Sequence, residues 1–341
     1  MSHSPGSLIQ VTATGLYCPA GDFYIDPLEG VATAVLTHAH SDHARMGSQK
    51  YHATEISRGL LERRLGTEAQ FTLHPYGEEF QLGPVTVSLH PAGHILGSAQ
   101  VRLAYEGAVW VISGDYKRQP DPTCAPFEPV PCDVLITEAT FGLPIYQWPS
   151  TEEVAQEVFA WWQKNREAGR NSLLACYALG KAQRLLHALG ELSDEIIYTH
   201  GATENLVGAY RDVGIELPPT QLIADLEGGG RAPKEKLKGA LVLAPPAAVQ
   251  SNWAKRFGDH EIGFASGWMQ LRGQRRRRAF DRGFVLSDHA DWPGLLTSIA
   301  ESRARKVYVT HGYSQELARY LSEQGTDAEP LDTLFVREAE S

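Results

Sequence analysis

"LTHAHSDHARMG", residues 36–47, sets His38, His40, Asp42 and His43 within six positions of a chain with 13 histidines in 341 residues. A polar turn with its imidazoles in water needs no such density. The run before it, "VATAVLTHAH", carries Ala32, Val35 and Leu36 and reads as a short buried strand. Alternation past the end of a strand sends His38 and His40 to one side. Asp42 and His43 fall in the following turn, and "SDHARMGS" reads as a helix start with Ser41 or Asp42 near its cap. Two imidazoles on one side, with a carboxylate and an imidazole just beyond, suit two adjacent metal ions. Neutral imidazole and carboxylate together favour zinc, with manganese or iron as the alternatives.

The composition frames that site without assigning it. The chain is 43% hydrophobic and 21% charged, an ordinary globular balance, and is long enough for one large domain or two coupled ones. The opening "MSHSPGSLIQVTATG" has neither a basic nor an apolar leader region, and no apolar run reaches membrane-spanning length. Cys18, Cys124, Cys132 and Cys176 form no CxxC pair and read as reduced thiols of a cytoplasmic protein. A net charge of −10 weighs against nucleic-acid binding over the molecule as a whole. Locally the balance reverses. "LRGQRRRRAFDRG", residues 271–283, holds Arg272, Arg275, Arg276, Arg277, Arg278 and Arg282 against Asp281 alone. Most charge runs are solvated faces, but arginine is also the preferred fork for phosphate.

Outward from the histidine cluster, residues 1–145 alternate short β-like runs with Gly/Pro turns. "GPVTVSLHPAGH", "GAVWVISGD" and "CDVLITEATFG" end in polar clusters that hold His94, Asp115 and Glu138. From 146 to 268 the texture becomes an alternating α/β module. "STEEVAQEVFAWWQKNREAG" is a capped amphipathic helix, "NSLLACYALGKAQRLLHALGEL" a strand, Gly turn and helix, and "EIIYTH" and "GALVLAPP" further strands. "GGG" at 228–230 reads as a loop. From 269 to 341 strands ending in polar clusters return, in "RGFVLSDHADW" and "KVYVTHGYS". The candidate ligands then divide into two sets: His38, His40 and His94 for one ion, Asp42, His43 and His311 for the other, with Asp115 bridging. Two ions about 3.5–4 Å apart suit phosphodiester hydrolysis by a bridging water.

"HAHSDH", "HPAGHILGSA", "ISGDYK" and "THG", in this order, resemble the metallo-β-lactamase fold. "ITEATFG", the intervening module and "LSDHAD" resemble its β-CASP nuclease branch. "GWMQLRGQRRRRAFDRGFVLSDHADWPGLL" with "VYVTHGY" is similar to the bacterial DNA-ligase-associated exonucleases. The resemblance implies an α/β fold, an αββα sandwich interrupted by an α/β β-CASP cap. It implies that Asp26, in "YIDP", supports the metal histidines from behind. It also implies that Glu138 orients His289, which protonates the leaving oxygen. The implied activity is a dimetal nuclease on DNA ends, acting in repair beside an ATP-dependent DNA ligase. His311 points the other way: a histidine at that motif is usual in RNA-processing members, where Artemis-type DNA nucleases carry an aliphatic residue. An RNase J-type enzyme is therefore the alternative. His200, in "YTHGA", copies the "THG" of His311 but falls inside the module, so motif order favours His311.

Overall fold

The computed structural model describes residues 8–227, 237–271 and 280–331. Arg272, Arg275, Arg276, Arg277 and Arg278, and the triple glycine at 228–230, lie outside the described residues. The chain forms two compact units. One runs through Tyr146 and resumes at His289; the other is Gln147–Asp288.

The first unit holds two sheets. Its first sheet has six strands in chain order, Gln10–Thr12, Gly15–Cys18, Phe23–Ile25, Thr33–Val35, Lys50–Thr54 and Phe71–His74. The second has seven, in the order Asp327–Pro330, Lys306–Thr310, Val134–Glu138, Ala108–Ile112, Ala99–Tyr105, Val85–Pro91 and Phe80–Leu82. Side-chain alternation explains how it is covered. Trp110, Ile112 and Ile136 join Leu16, Phe23, Ile25 and Val35 in a core shared by both sheets. The neighbouring Val111 and Leu135 face the other way, onto Trp292, Leu295 and Ile299 of helix Trp292–Ser302 and onto Leu317 and Leu321 of helix Ser314–Glu323.

The second unit is built on a parallel sheet, ordered Thr220–Leu222, Ile197–Thr199, Leu241–Ala244, Asn171–Ala175, His260–Ala265 and Arg282–Phe284. Its strands are apolar on both faces, as a sheet covered on both sides requires. Leu174, Leu241 and Leu243 pack with Val158, Trp162 and Leu185. Leu173, Ala175, Val242 and Ala244 pack with Ile223, Phe257 and Met269. Helix Thr151–Glu167 starts at a reciprocal cap: the Glu153 amide donates to Ser150 Oγ at 3.1 Å, and the Ser150 amide donates to Glu153 Oε2 at 2.9 Å.

Two expectations change. "SDHARMGS" starts no helix; residues 41–43 and 46–47 are turns, with a bend at Ala44 between them. The Ala44 amide closes one helical turn onto the His40 carbonyl at 2.8 Å. The carbonyls of Asp42 and Arg45 accept from side chains, Arg45 Nε at 3.3 Å and the Tyr51 hydroxyl at 2.8 Å, and Gly47, at φ +106°, has left the helical region. The return expected at 269 is also displaced. Arg282–Phe284 pairs in parallel with His260–Ala265 in the second unit's sheet, because Phe284 is fully buried there against Trp161.

Candidate metal centre

In the second sheet of the first unit, Val85–Pro91 and Ala108–Ile112 both run antiparallel to Ala99–Tyr105, and therefore in the same direction. Val134–Glu138 and Lys306–Thr310 run parallel to Ala108–Ile112. Four strands thus leave the same edge, and the residues at or just past their ends are His94, Asp115, Glu138 and His311. The first sheet adds its own strand end: Thr33–Val35 leads into Thr37 and His38, and the Ala99 amide donates to the Thr37 carbonyl at 2.7 Å. Glycine makes two of these exits. Gly93 (φ +71°) leaves a Cβ no room, 2.4 Å from the Lys117 carbonyl oxygen. Gly114 (φ +56°) lets Thr37 approach, where a Cβ would stand 2.7 Å from Thr37 Cβ.

These exits bring His38, His40, His94 and Asp115 together, with one ligand atom of each within 4.8 Å of the others. His40 Nδ1 is 3.1 Å from His38 Nε2 and 3.0 Å from His94 Nε2. Asp115 Oδ2 is 3.5 Å from His38 Nε2 and 3.9 Å from His94 Nε2. Bonds of about 2.0–2.1 Å to one tetrahedral ion would set its donors about 3.3 Å apart, so this donor set has the spacing and the chemistry for a divalent metal. The second set is looser. His43 Nε2 is 3.3 Å from Asp115 Oδ2 and 3.7 Å from Asp42 Oδ2, and the His311 ring stacks 5.9 Å from that of His43. Asp115 Oδ2 is the atom both sets share.

The supporting contacts orient these rings. Asp26 Oδ2 meets His43 Nδ1 at 2.7 Å, which turns Nε2 toward Asp115. The same carboxylate accepts from the Thr37 amide at 2.8 Å and the Thr37 hydroxyl at 2.5 Å, and that hydroxyl lies 3.0 Å from His38 Nδ1. Ser98 Oγ accepts from the amides of His94 at 3.1 Å and Ile95 at 3.2 Å and so shapes the His94 loop. Thr37, Ser98 and Gly114 were not singled out from the sequence. The one available signal was Thr37's place directly before the first ligand.

Burial, with His43 and His94 nearby, drives the His38 imidazole well below its ordinary pKa and keeps it neutral. Burial opposes charge on His43 too, but Asp115, Asp26 and Asp42 outweigh it and hold that ring well above its ordinary value. Asp115 is the counterpart: burial works against its charge, and His43 and His289 overcome this and keep it ionised.

Beside the ligands stands a carboxylate–imidazole pair. His289 Nδ1 lies 2.9 and 3.0 Å from the two Glu138 oxygens. Glu138 is held by the amides of Tyr116 at 2.9 Å and Thr140 at 3.4 Å, and the His289 ring is 4.9 Å from that of His94. Nδ1 must donate to the carboxylate, which leaves Nε2 as the nitrogen that can give up a proton.

The other candidates fall elsewhere. His200 caps helix Gly201–Asp212, accepting from the Ala202 amide at 3.1 Å. Arg282, the one member of the arginine run among the described residues, pairs with Glu157 at 3.7 Å and lies over the Phe284 ring.

No family model matches the chain. It is 31% identical over 316 residues to a probable DNA ligase of Opitutus terrae, across 92% of this chain and 30% of that protein. It is 30% identical over 210 residues to Ribonuclease TTHA0252 of Thermus thermophilus, across 52% of this chain and 45% of that one. An RNase J-like protein of Methanocaldococcus jannaschii is 29% identical over 144 residues, 40% of this chain and 34% of the relative. The chain thus spans less than half the length of each. A crystal structure of a protein of unknown function from Enterococcus faecalis V583 shares the fold, with a TM-score of 0.56 at 14% identity over 81% of this chain and 74% of that one. With its ordered ligand motifs and with relatives among the metal-dependent nucleases of that branch, the chain belongs to the β-CASP branch of the metallo-β-lactamase fold.

Proposed function

We propose that the chain is a dimetal phosphodiesterase that shortens DNA from its ends, with Gln147–Asp288 as its β-CASP cap. The observation that supports this most is the placing of His38, His40, His94 and Asp115 beside the Glu138–His289 pair within one unit. His38, His40, His94 and Asp115 would hold one divalent ion, and Asp42, His43 and His311, with Asp115 shared, a second; zinc is the first choice and manganese the alternative. When bound, the ions supply Lewis acidity and lower the pKa of water. The protein's own part is positional and protic. Asp26 and Thr37 fix the ligand rings. Glu138 holds Nδ1–H of His289, and His289 donates from Nε2 to the departing oxygen of the scissile phosphate. DNA is favoured because the ligase-named relative matches over nearly the whole chain. The motif resemblance adds to the proposal a place in the cytoplasm beside an ATP-dependent ligase. RNA is the second reading, favoured by His311 and by the ribonuclease names of the shorter matches.

End-labelled DNA, RNA and a generic thioester, each offered with zinc or manganese, separate these readings. Progressive shortening of DNA is the expected result. Shortening of RNA alone would select the second reading, and turnover of the thioester alone would overturn both.

A further inference from the structure

The loop that delivers His289, "LSDHAD", is gripped on both sides of the histidine. Downstream, the Ala290 amide donates to the Tyr116 carbonyl at 2.6 Å, and the amide of that same Tyr116 donates to Glu138. Upstream the grip comes from helix Lys181–Gly190, in the second unit. Arg184 donates from Nη1 to the Ser287 carbonyl at 2.9 Å, and the same nitrogen stands 3.6 Å from Asp288 Oδ1. Lys181 Nζ stands 3.6 Å from Asp288 Oδ2 and 4.3 Å from the centre of the Tyr177 ring. Arg184, Lys181 and Asp288 are all buried, at 1%, 4% and 2% exposure.

Two cations and a carboxylate out of water are a poor way to gain stability alone, since desolvation offsets most of their attraction. What such a group does well is fix geometry. Arg184 holds a main-chain carbonyl by a hydrogen bond and stands within ion-pair range of the next side chain from one nitrogen of its rigid, planar guanidinium, a direction that a flexible lysine ammonium does not keep. Ser287 and Asp288 are the two residues directly before His289. Their backbone therefore sets where the imidazole starts, and Glu138 sets where it ends.

We infer that Arg184, with Lys181 and Asp288, is a positioning element for His289: by fixing Ser287 and Asp288 it fixes the backbone from which the proton donor projects. The inference rests on His289 being that donor.

Leaving-group dependence tests it. A nucleotide alkoxide needs a proton as it departs; the phenolate of bis(p-nitrophenyl) phosphate does not. The quantity to measure is the ratio of kcat on a DNA oligonucleotide to kcat on bis(p-nitrophenyl) phosphate, in metal-loaded full-length protein whose metal content matches wild type. Misalignment of a donor by about 1 Å costs on the order of a hundredfold, so Arg184→Gln should lower the ratio at least about tenfold. Asp288→Asn, which keeps the side-chain volume, should lower it in the same direction and serves if Arg184→Gln does not fold. Arg184→Lys should recover only part of the ratio. His289→Ala is the reference. If His289→Ala leaves the ratio at the wild-type value, the proton-donor reading fails. If His289→Ala lowers it and Arg184→Gln and Asp288→Asn do not, the positioning role is overturned. Equal losses on both substrates also overturn it, because they are the mark of a purely structural role.

Discussion

At the scale of single residues, Asp115 carries the heaviest load. Its Oδ2 lies within 3.3–3.9 Å of His43, His38 and His94, so its removal takes a donor from both ligand sets. Asp115→Ala should lower bound metal from about two equivalents to one or fewer, by elemental analysis of the purified protein. His200→Ala, which loses a helix cap and a ring contact with Trp253, should keep its metal; full occupancy in Asp115→Ala would end the bridging role. Gly312 is a different kind of single point. It sits at φ +51° directly after His311, and a Cβ there would lie 2.3 Å from the Ala139 oxygen and 2.4 Å from Thr140 Cα. Both obstacles are backbone, so neither can swing aside, and Ala139 and Thr140 directly follow Glu138. Gly312→Ala should cost about 2–4 kcal/mol in denaturant unfolding, from left-handed strain together with overpacking. A loss under about 0.5 kcal/mol would show that the turn relaxes freely.

At the scale of elements, the first sheet contains a second histidine pair that the site does not use. His52 and His74 are diagonal neighbours on the paired strands Lys50–Thr54 and Phe71–His74, with His52 Nδ1 3.0 Å from His74 Nε2 and both rings stacked on Phe80. One proton can lie between these nitrogens; a second charge would be buried and opposed. Burial, then His74 and Lys50, lower His52 from 6.5 to about 4. The folded-state value lies below the unfolded one, so stability from this pair is complete above about pH 6.5. It is lost as pH falls toward 4, by up to about 3 kcal/mol. Melting temperature followed from pH 7 to pH 4 should fall less steeply in His52→Gln than in wild type; parallel curves would remove His52 from the acid response. Strand direction is the other lesson at this scale. Each motif ends a short apolar run, but a run does not show which way its strand points. Only the ladders show that four of them end at one edge.

At the scale of the whole chain, charge is the open balance. A net −10 has to accommodate a polyanion if nucleic acid is the substrate, and the concentrated positive stretch is residues 272–282. Arg282 is already paired with Glu157, so the proposal falls on Arg275, Arg276, Arg277 and Arg278. Each phosphate contact contributes close to one unit to the slope of log affinity against log salt. Replacing these four with alanine should therefore flatten that slope by about one to four units for a labelled oligonucleotide, uniformly across sequences. An unchanged slope in a folded, metal-loaded variant would mark the run as a solvated face. No helix among the described residues is long and apolar enough to cross a membrane.

Local pattern in the sequence was enough for the candidate ligands' types and order, the α/β alternation and a helix capped at Ser150 or Thr151, because these rest on donor density, periodicity and residues three apart. It left the start of "SDHARMGS" and the boundary at 269 misread. Past Ala44 the chain is held by Arg45 and Tyr51 side chains that donate to the Asp42 and Arg45 carbonyls, and which sheet claims Arg282–Phe284 depends on Trp161, more than 100 residues away. The grip of Arg184 on Ser287 was equally out of reach, since nothing local in "GKAQR" or "SDHAD" shows that one closes on the other. Spacing along a chain encodes chemistry that neighbours perform together; long-range partners are selected by burial, and burial exists only once the chain has folded.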